Sequence, residues 1–231
     1  MRAAAALLLV LGHLPAPSAG WRTLVVEGLE KIAANRTLSR DTVVSFASGG
    51  AFHLADGVTL EIEGSLTAPP VQVFFGPGRV LFTTGLTEQV TPQWWGAVGD
   101  GVQDDGEALQ ACLRAFPPQA DGVSGRIWMP RGDYLTSRTL FLGGGGELYG
   151  DGATIRARDQ TGDKLDAIIT IPPGNVTRQS TTLSWRIRGI KLVGAGANPT
   201  AEQYTKVGLN CASVSYAMIV SPAAAVQSPL I

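Results

Sequence analysis

Apolar and polar positions along this chain alternate in short runs, not in long helical stripes. Thr37-Leu38, Val43-Val44-Ser45-Phe46, Ala51-Phe52-His53-Leu54, Val58 to Ile62, Val71 to Phe75 and Arg79 to Phe82 follow one another. Gly49-Gly50, Asp56-Gly57, Gly64 and Gly76-Pro77-Gly78 punctuate them. Such runs between Gly, Pro and Asp-Gly clusters read as strands joined by turns. In the run from Val58, residues 58, 60 and 62 point one way and Thr59 and Glu61 the other, which is a half-buried strand. His53, between Phe52 and Leu54, then faces solvent. The turn texture alone fits hairpins of a sandwich as well as coils of a solenoid. An internal echo favours the solenoid: Gly49-Gly50, a short strand, Asp56-Gly57 and Val58-Thr59-Leu60 return as Gly145-Gly146, a strand, Asp151-Gly152 and Ala153-Thr154-Ile155.

One segment has helical spacing. Ala108, Leu109, Cys112, Leu113 and Phe116 form one apolar face, closed by Pro117-Pro118. Asp104 is placed to cap this helix and Glu107 to reach back to the cap. At the start, Met1-Arg2, the apolar run Ala3 to Leu11 and the small and breaking residues Pro15 to Gly20 have the layout of a secretory signal peptide. That run is too short to span a bilayer, and no other segment is longer and as apolar. Trp21 to Ala34 stays open between helix and strand. Further strands are expected at Arg186 to Gly194 and within Lys206 to Tyr216, before a small-residue tail from Ser221 to Ile231.

Composition narrows the class. Of 231 residues, 45% are apolar and 16% charged, with 29 Gly and 14 Pro, so the chain is globular and turn-rich. The net charge of −1 excludes a global attraction to nucleic acid or anionic membrane. It divides unevenly: 7 basic against 12 acidic residues precede Arg126, and 11 basic against 7 acidic follow from it onward. Cys112 and Cys211 lack metal-like spacing and are read as two separate buried thiols, though a secreted location would permit a disulfide.

The stretch Trp94-Trp95-Gly96-Ala97-Val98-Gly99-Asp100-Gly101-Val102-Gln103-Asp104-Asp105, with its following helix, resembles the N-terminal signature of the pectate-lyase-like superfamily. It is similar to the rhamnogalacturonase and epimerase-like branch, which also includes phage tailspikes. Gly125 to Tyr134, with its Pro130-Arg131-Gly132-Asp133-Tyr134 turn, and Leu148 to Ile155 continue the likeness. The resemblance implies an all-β fold, a right-handed single-stranded parallel β-helix with an N-terminal capping α-helix, here truncated. The implied division is a signal peptide at 1–20, a strand-rich segment at 21–90, the first β-helix coils at 91–216 and an irregular tail at 217–231. It implies a secreted carbohydrate-active protein whose partner is a polysaccharide, uronate-rich in the sharpest form, and which, if active, is a polysaccharide lyase or glycoside hydrolase. A non-catalytic β-helix binding or structural module is the alternative. No cofactor or metal ligand set is evident, and calcium enters only by analogy with the family.

Among individual residues, Asp100, Asp104 and Asp105 form the densest carboxylate cluster. Each has a backbone task to perform, so turn and cap chemistry is the preferred reading over catalysis. With Trp95, Gly96 and Gly101 they make up the structural signature. Trp94, Trp95, Trp128 and Trp185 are read as packing residues before sugar platforms. Arg156 with Arg158, and Arg186 with Arg188, are each spaced by two on a strand, so each pair emerges on one face. Stacked on neighbouring coils, the four guanidinium groups would form one patch suited to uronate carboxylates. Asn35 and Asn175 sit in acceptable glycosylation triplets. The glycine run from Gly143 lacks the Lys-Ser/Thr of a phosphate loop. The Arg131-Gly132-Asp133 tripeptide falls inside a turn of the signature and is not read as an adhesion motif.

Overall fold

The short strands wind into coils. The computed structural model describes residues 20–117, 125–142, 146–158, 167–170, 185–194, 207–210 and 218–220. Most of the expected leader and tail, together with Asn175 and Cys211, lies outside them. The first coil carries β1 (Arg22–Val26), β2 (Leu29–Ile32) and β3 (Arg36–Leu38). The second carries β4 (Thr42–Phe46), β5 (Ala51–Leu54) and β6 (Thr59–Ile62), and the third β7 (Ser65–Thr67), β8 (Phe74–Phe75) and β9 (Arg79–Phe82). Every third strand pairs in parallel, giving three sheets, β1-β4-β7, β2-β5-β8 and β3-β6-β9. Arg22 pairs with Thr42, Leu29 with Ala51 and Arg36 with Leu60, so a coil takes 20 to 24 residues. Asp56-Gly57 is therefore a coil corner, with Gly57 at φ 70°, and not a hairpin. Trp21 to Ala34, left open by the sequence, is strand.

Alternation sets the core. Leu60 and Ile62 of β6 are buried, while Thr59 and Glu61 between them are not. His53 is exposed, as its alternation predicts. One apolar cluster runs without a break from Val26 to Ile187.

The same winding continues past residue 89. In chain order come β10 (Gln89–Val90), a 3-10 helix (Pro92–Trp95), β11 (Asp100–Asp104) and α1 (Gly106–Leu113). Then follow β12 (Gly125–Met129), β13 (Gly132–Thr136), β14 (Leu140–Phe141) and β15 (Gly146–Ala157). The described chain closes with β16 (Ala167–Thr170), β17 (Trp185–Val193), β18 (Val207–Asn210) and β19 (Met218–Val220). All pairings are parallel. Strand β15 serves two sides: residues 146–150 pair with β12 and residues 153–157 with β13. The corner between them is Asp151-Gly152, with Gly152 at φ 78°. The two halves of the internal echo thus both mark corners, one in each part of the solenoid. The fold is an all-β parallel β-helix with a single short α-helix among the described residues.

Hydrogen bonds carry the stack from the third coil to the next. The Leu66 amide donates to Thr87 Oγ1 at 3.0 Å, the Val73 amide to the Trp94 carbonyl at 3.0 Å, and the Phe82 amide to the Ala115 carbonyl at 2.8 Å. Helix α1 therefore covers the beginning of the second set of coils, with three further coils behind it. Its inner face, Leu109, Cys112 and Leu113, meets Ile127, Met129, Leu140, Leu148 and Ile155 of the coil interior. Phe116 packs on Phe82, with ring centroids 5.6 Å apart. Cys112 is buried, and burial pushes its thiol well above the ordinary thiol range.

Candidate functional site

The signature loop shows why its carboxylates are structural. Asp100 Oδ1 accepts the amides of Val102 at 2.8 Å and Gln103 at 2.9 Å, which closes a turn over Gly101 at φ 74°. These amides hold the Asp100 carboxyl below the usual range, Gln103 first and then Val102. Asp105 turns inward and takes the amides of Val98 at 2.7 Å and Gly99 at 3.0 Å. Burial pushes its carboxyl up despite those two bonds. The capping box expected from Asp104 and Glu107 is not formed. The helix begins at Gly106, so Asp105 occupies the cap position, and its side chain is already committed to Val98 and Gly99. Asp104 Oδ1 instead accepts the Gly106 amide at 2.9 Å and the Ser137 amide at 3.4 Å. Glu107 pairs with Arg138 at 2.9 Å.

The expected packing roles of the tryptophans hold in part. Trp94 is 4% exposed, and its indole donates to the Pro69 carbonyl at 3.0 Å. Trp185 is buried, whereas Trp95 and Trp128 remain partly open. Gly96 ends the 3-10 helix at φ 95°. Asn35 is exposed, and its Oδ1 accepts the Thr59 amide of the next coil at 2.9 Å.

The four arginines do not form one patch. Strands β15 and β17 do stack, but Arg188 lies level with Tyr149 and Arg186 with Glu147, whereas Arg156 lies level with Val193. Five residues and a coil corner separate the two pairs, roughly 15 Å along the strand. Arg156 binds Asp133 through Nε at 3.1 Å and a terminal nitrogen at 2.8 Å. Arg158 approaches Asp104 at 3.9 Å. The spacing of two was read correctly; the register between coils decides which pairs meet, and a gap between Tyr149 and Ala153 in the pairing shifts it.

Arg186 and Arg188 join a different group. On the outer face of the β10-β12-β15-β17 sheet, Gln89, Arg126, Glu147 and Arg186 stand level in one row. Trp128, Tyr149 and Arg188 form the next. Glu147 is the hub. It accepts Arg188 Nε at 2.7 Å and Arg126 Nε at 3.1 Å, and lies 4.0 Å from Arg186. Arg188 chiefly, then Arg126, hold its carboxyl below the ordinary range against its partial burial. The Tyr149 ring stands between two guanidinium groups, Arg188 at 4.7 Å and Arg126 at 5.1 Å from its centroid, and its hydroxyl donates to Gln89. Cation–π contacts of this exposed kind contribute about 0.5–1 kcal/mol each. Three guanidinium groups face one carboxylate, leaving an excess of positive charge beside two aromatic side chains.

Chemically, this face carries more guanidinium groups than carboxylates to pair them. Guanidinium groups stay protonated and offer no proton transfer near neutral pH. A carboxyl kept ionised by its arginines is a poor general acid. Arg126, Glu147 and Tyr149 were not singled out by the sequence reading, and Trp128 was read there as a packing residue. The signal was the coil period: Gly125-Arg126-Ile127-Trp128, Gly146-Glu147-Leu148-Tyr149 and Trp185-Arg186-Ile187-Arg188 align as inward small or aromatic, outward charged, inward aliphatic, outward aromatic or charged.

Residues 93–186 match the family model described as rhamnogalacturonase A/epimerase, pectate lyase-like. That segment contains the signature loop, α1 and the strands that carry Arg126 and Glu147, and it ends at Arg186 near the start of β17. No curated protein and no solved structure matches the chain. Among the described residues, no helix is long and apolar enough to cross a membrane.

Proposed function

From a chain whose residues 93–186 are of the pectate-lyase-like kind, we propose a secreted β-helix protein that binds acidic polysaccharide on the outer face of the β10-β12-β15-β17 sheet. The observation that supports this most is the Arg126–Glu147–Arg188 cluster, with Arg186 beside it and Trp128 and Tyr149 alongside. Uronate carboxylates replace Glu147 as partners of the guanidinium forks, which suit planar anions. Pyranose rings lie against the aromatic side chains, which present large apolar faces. Binding is favoured over hydrolysis because Oδ1 of Asp100 and of Asp104 and both oxygens of Asp105 accept backbone amides, and Glu147 is held ionised. The Met1 to Gly20 leader accords with delivery outside the cell.

Two variants with opposite expected effects test the reading. Arg126→Ala with Arg188→Ala should weaken retention on polygalacturonate at least about tenfold, since charge-assisted bonds are lost. Glu147→Gln should strengthen it a few-fold, because the competing carboxylate is gone and all three guanidinium groups are released. Retention is measured by affinity electrophoresis at fixed ionic strength, because screening weakens all such contacts. Unchanged mobility for both variants would reject the site.

A further inference from the structure

A second charged feature lies away from the sheet face. The polar side of α1 faces the Gly76-Pro77-Gly78 turn of the third coil. Between them runs an open groove of about 540 Å³. One wall is the Gly76-Pro77-Gly78 turn with Arg79 and Val80; the other is Glu107, Gln110, Ala111 and Arg114 of the helix and its end, with Arg138 and Trp95 completing the lining.

The Gly76-Pro77-Gly78 turn packs closely on the second coil. Gly76 has φ 85°, and a Cβ there would lie 2.1 Å from the Leu54 carbonyl oxygen. A Cβ on Gly78 would lie 2.5 Å from Leu54 Cβ. Both positions exclude side chains, so the turn itself presents only backbone and the Pro77 ring beside Arg79. The Trp95 indole is fixed from behind by Phe74, with ring centroids 5.1 Å apart.

The charges are unbalanced. Eight arginines, Arg138 among them, are ion-paired. Arg79 and Arg114 have no ion pair or hydrogen bond from their side chains among the described residues. Both are exposed, and both line this groove. Three guanidinium groups thus line the groove with one carboxylate, Glu107, which Arg138 already holds.

We propose that this groove is a second saccharide site, taking a sugar unit that carries an anionic group, carboxylate or sulfate ester. Arg79 and Arg114 hold the anion from opposite walls, and the ring lies toward Trp95. The site takes only its ligand class from the reading of the sheet face; its residues are entirely separate. An extended chain bound at both places would be held by two weak sites at high effective concentration.

Calorimetry on the full chain tests this with four probes: trigalacturonate, its methyl ester, a sulfated neutral trisaccharide and inorganic sulfate. The background carries Arg126→Ala and Arg188→Ala, which weaken the sheet face. Residual binding of at least one anionic trisaccharide is expected, and adding Arg79→Ala with Arg114→Ala should weaken it at least about tenfold. Whichever of the two anionic probes binds identifies the group. Equal binding with and without the groove substitutions, or no residual binding at all, overturns the proposal. So does a methyl ester or inorganic sulfate that binds as tightly as the anionic sugar. If wild type and the Arg126/Arg188 background bind alike and only the groove variant loses affinity, the sheet-face reading fails and the groove stands.

Discussion

Asp105→Ala is expected to lower stability by about 3 kcal/mol, with a fall in Tm of roughly 10 °C for a chain of this size. The side chain is 1% exposed, and its two oxygens accept the Val98 and Gly99 amides. Hydrogen bonds to a charged acceptor contribute about 1.5–3 kcal/mol each, and removal leaves both donors without a partner. Asp105→Asn should recover only part of the loss, because its amide nitrogen would face a backbone N–H. The main chain of Asp105 also joins helix to coil: its amide donates to the Leu135 carbonyl at 2.8 Å and its carbonyl accepts the Leu109 amide at 2.9 Å. Urea midpoints of the three proteins measure the effect. A loss under about 1 kcal/mol, the scale of an exposed contact, would show that the carboxylate does not hold the loop.

The pH dependence of that variant has a definite sign. Burial raises the Asp105 carboxyl above its ordinary 3.8. Stability from its protonation is therefore present below 3.8 and lost as pH rises through the raised folded value. Asp100, Asp104 and Glu147 behave oppositely, since their folded values are lowered. Their contribution is present above the ordinary carboxylate values and lost as pH falls through the folded ones. In the wild type, Asp105 offsets part of this acid loss. Without it, stability between about pH 5 and 3 should fall more steeply. Urea midpoints across that range give the slope; an unchanged slope would mean that Asp105 is not raised.

What was legible in the sequence was what the backbone decides locally. Strand runs, Asp-Gly corners and the Asp100 turn all follow from residues within a few positions of one another. The signature loop was legible because glycine at Gly96 and Gly101 and carboxylates at Asp100 and Asp105 serve one compact turn. The cap was misassigned by one residue. Asp104 and Asp105 are equivalent in a linear pattern, and only the position of Val98 and Gly99 decides which turns inward. The arginine patch failed for a longer-range reason. Arg156 and Arg188 both point outward, but their meeting depends on coil lengths. Successive coils on this sheet advance from Gln89 to Arg126, from Gly125 to Gly146 and from Gly146 to Trp185, at unequal spacing. Inserted loops, α1 among them, hide that register. The groove was invisible for the same reason, since Arg79 and Arg114 meet only through the packing of α1 against the third coil.

Gly125→Ala should reveal that packing directly. A Cβ at Gly125 would lie 2.0 Å from the Phe116 ring, closer than any real contact. Phe116 has little freedom to yield, because it is 4% exposed and its ring meets Phe82. Overpacking of this kind costs about 1–3 kcal/mol. Phe116→Ala removes a buried ring and should cost about 3–5 kcal/mol. The double variant should then lose less than the two together, by about 1–2 kcal/mol, because the new methyl group enters the space the ring has left. Denaturant midpoints for the four proteins complete the cycle. Strict additivity would mean that Phe116 does not sit over Gly125, and the end of α1 would not be fixed where the junction groove requires it. Coupling of the expected size would place the helix against the coil interior, and with it Arg114 across the groove from Arg79.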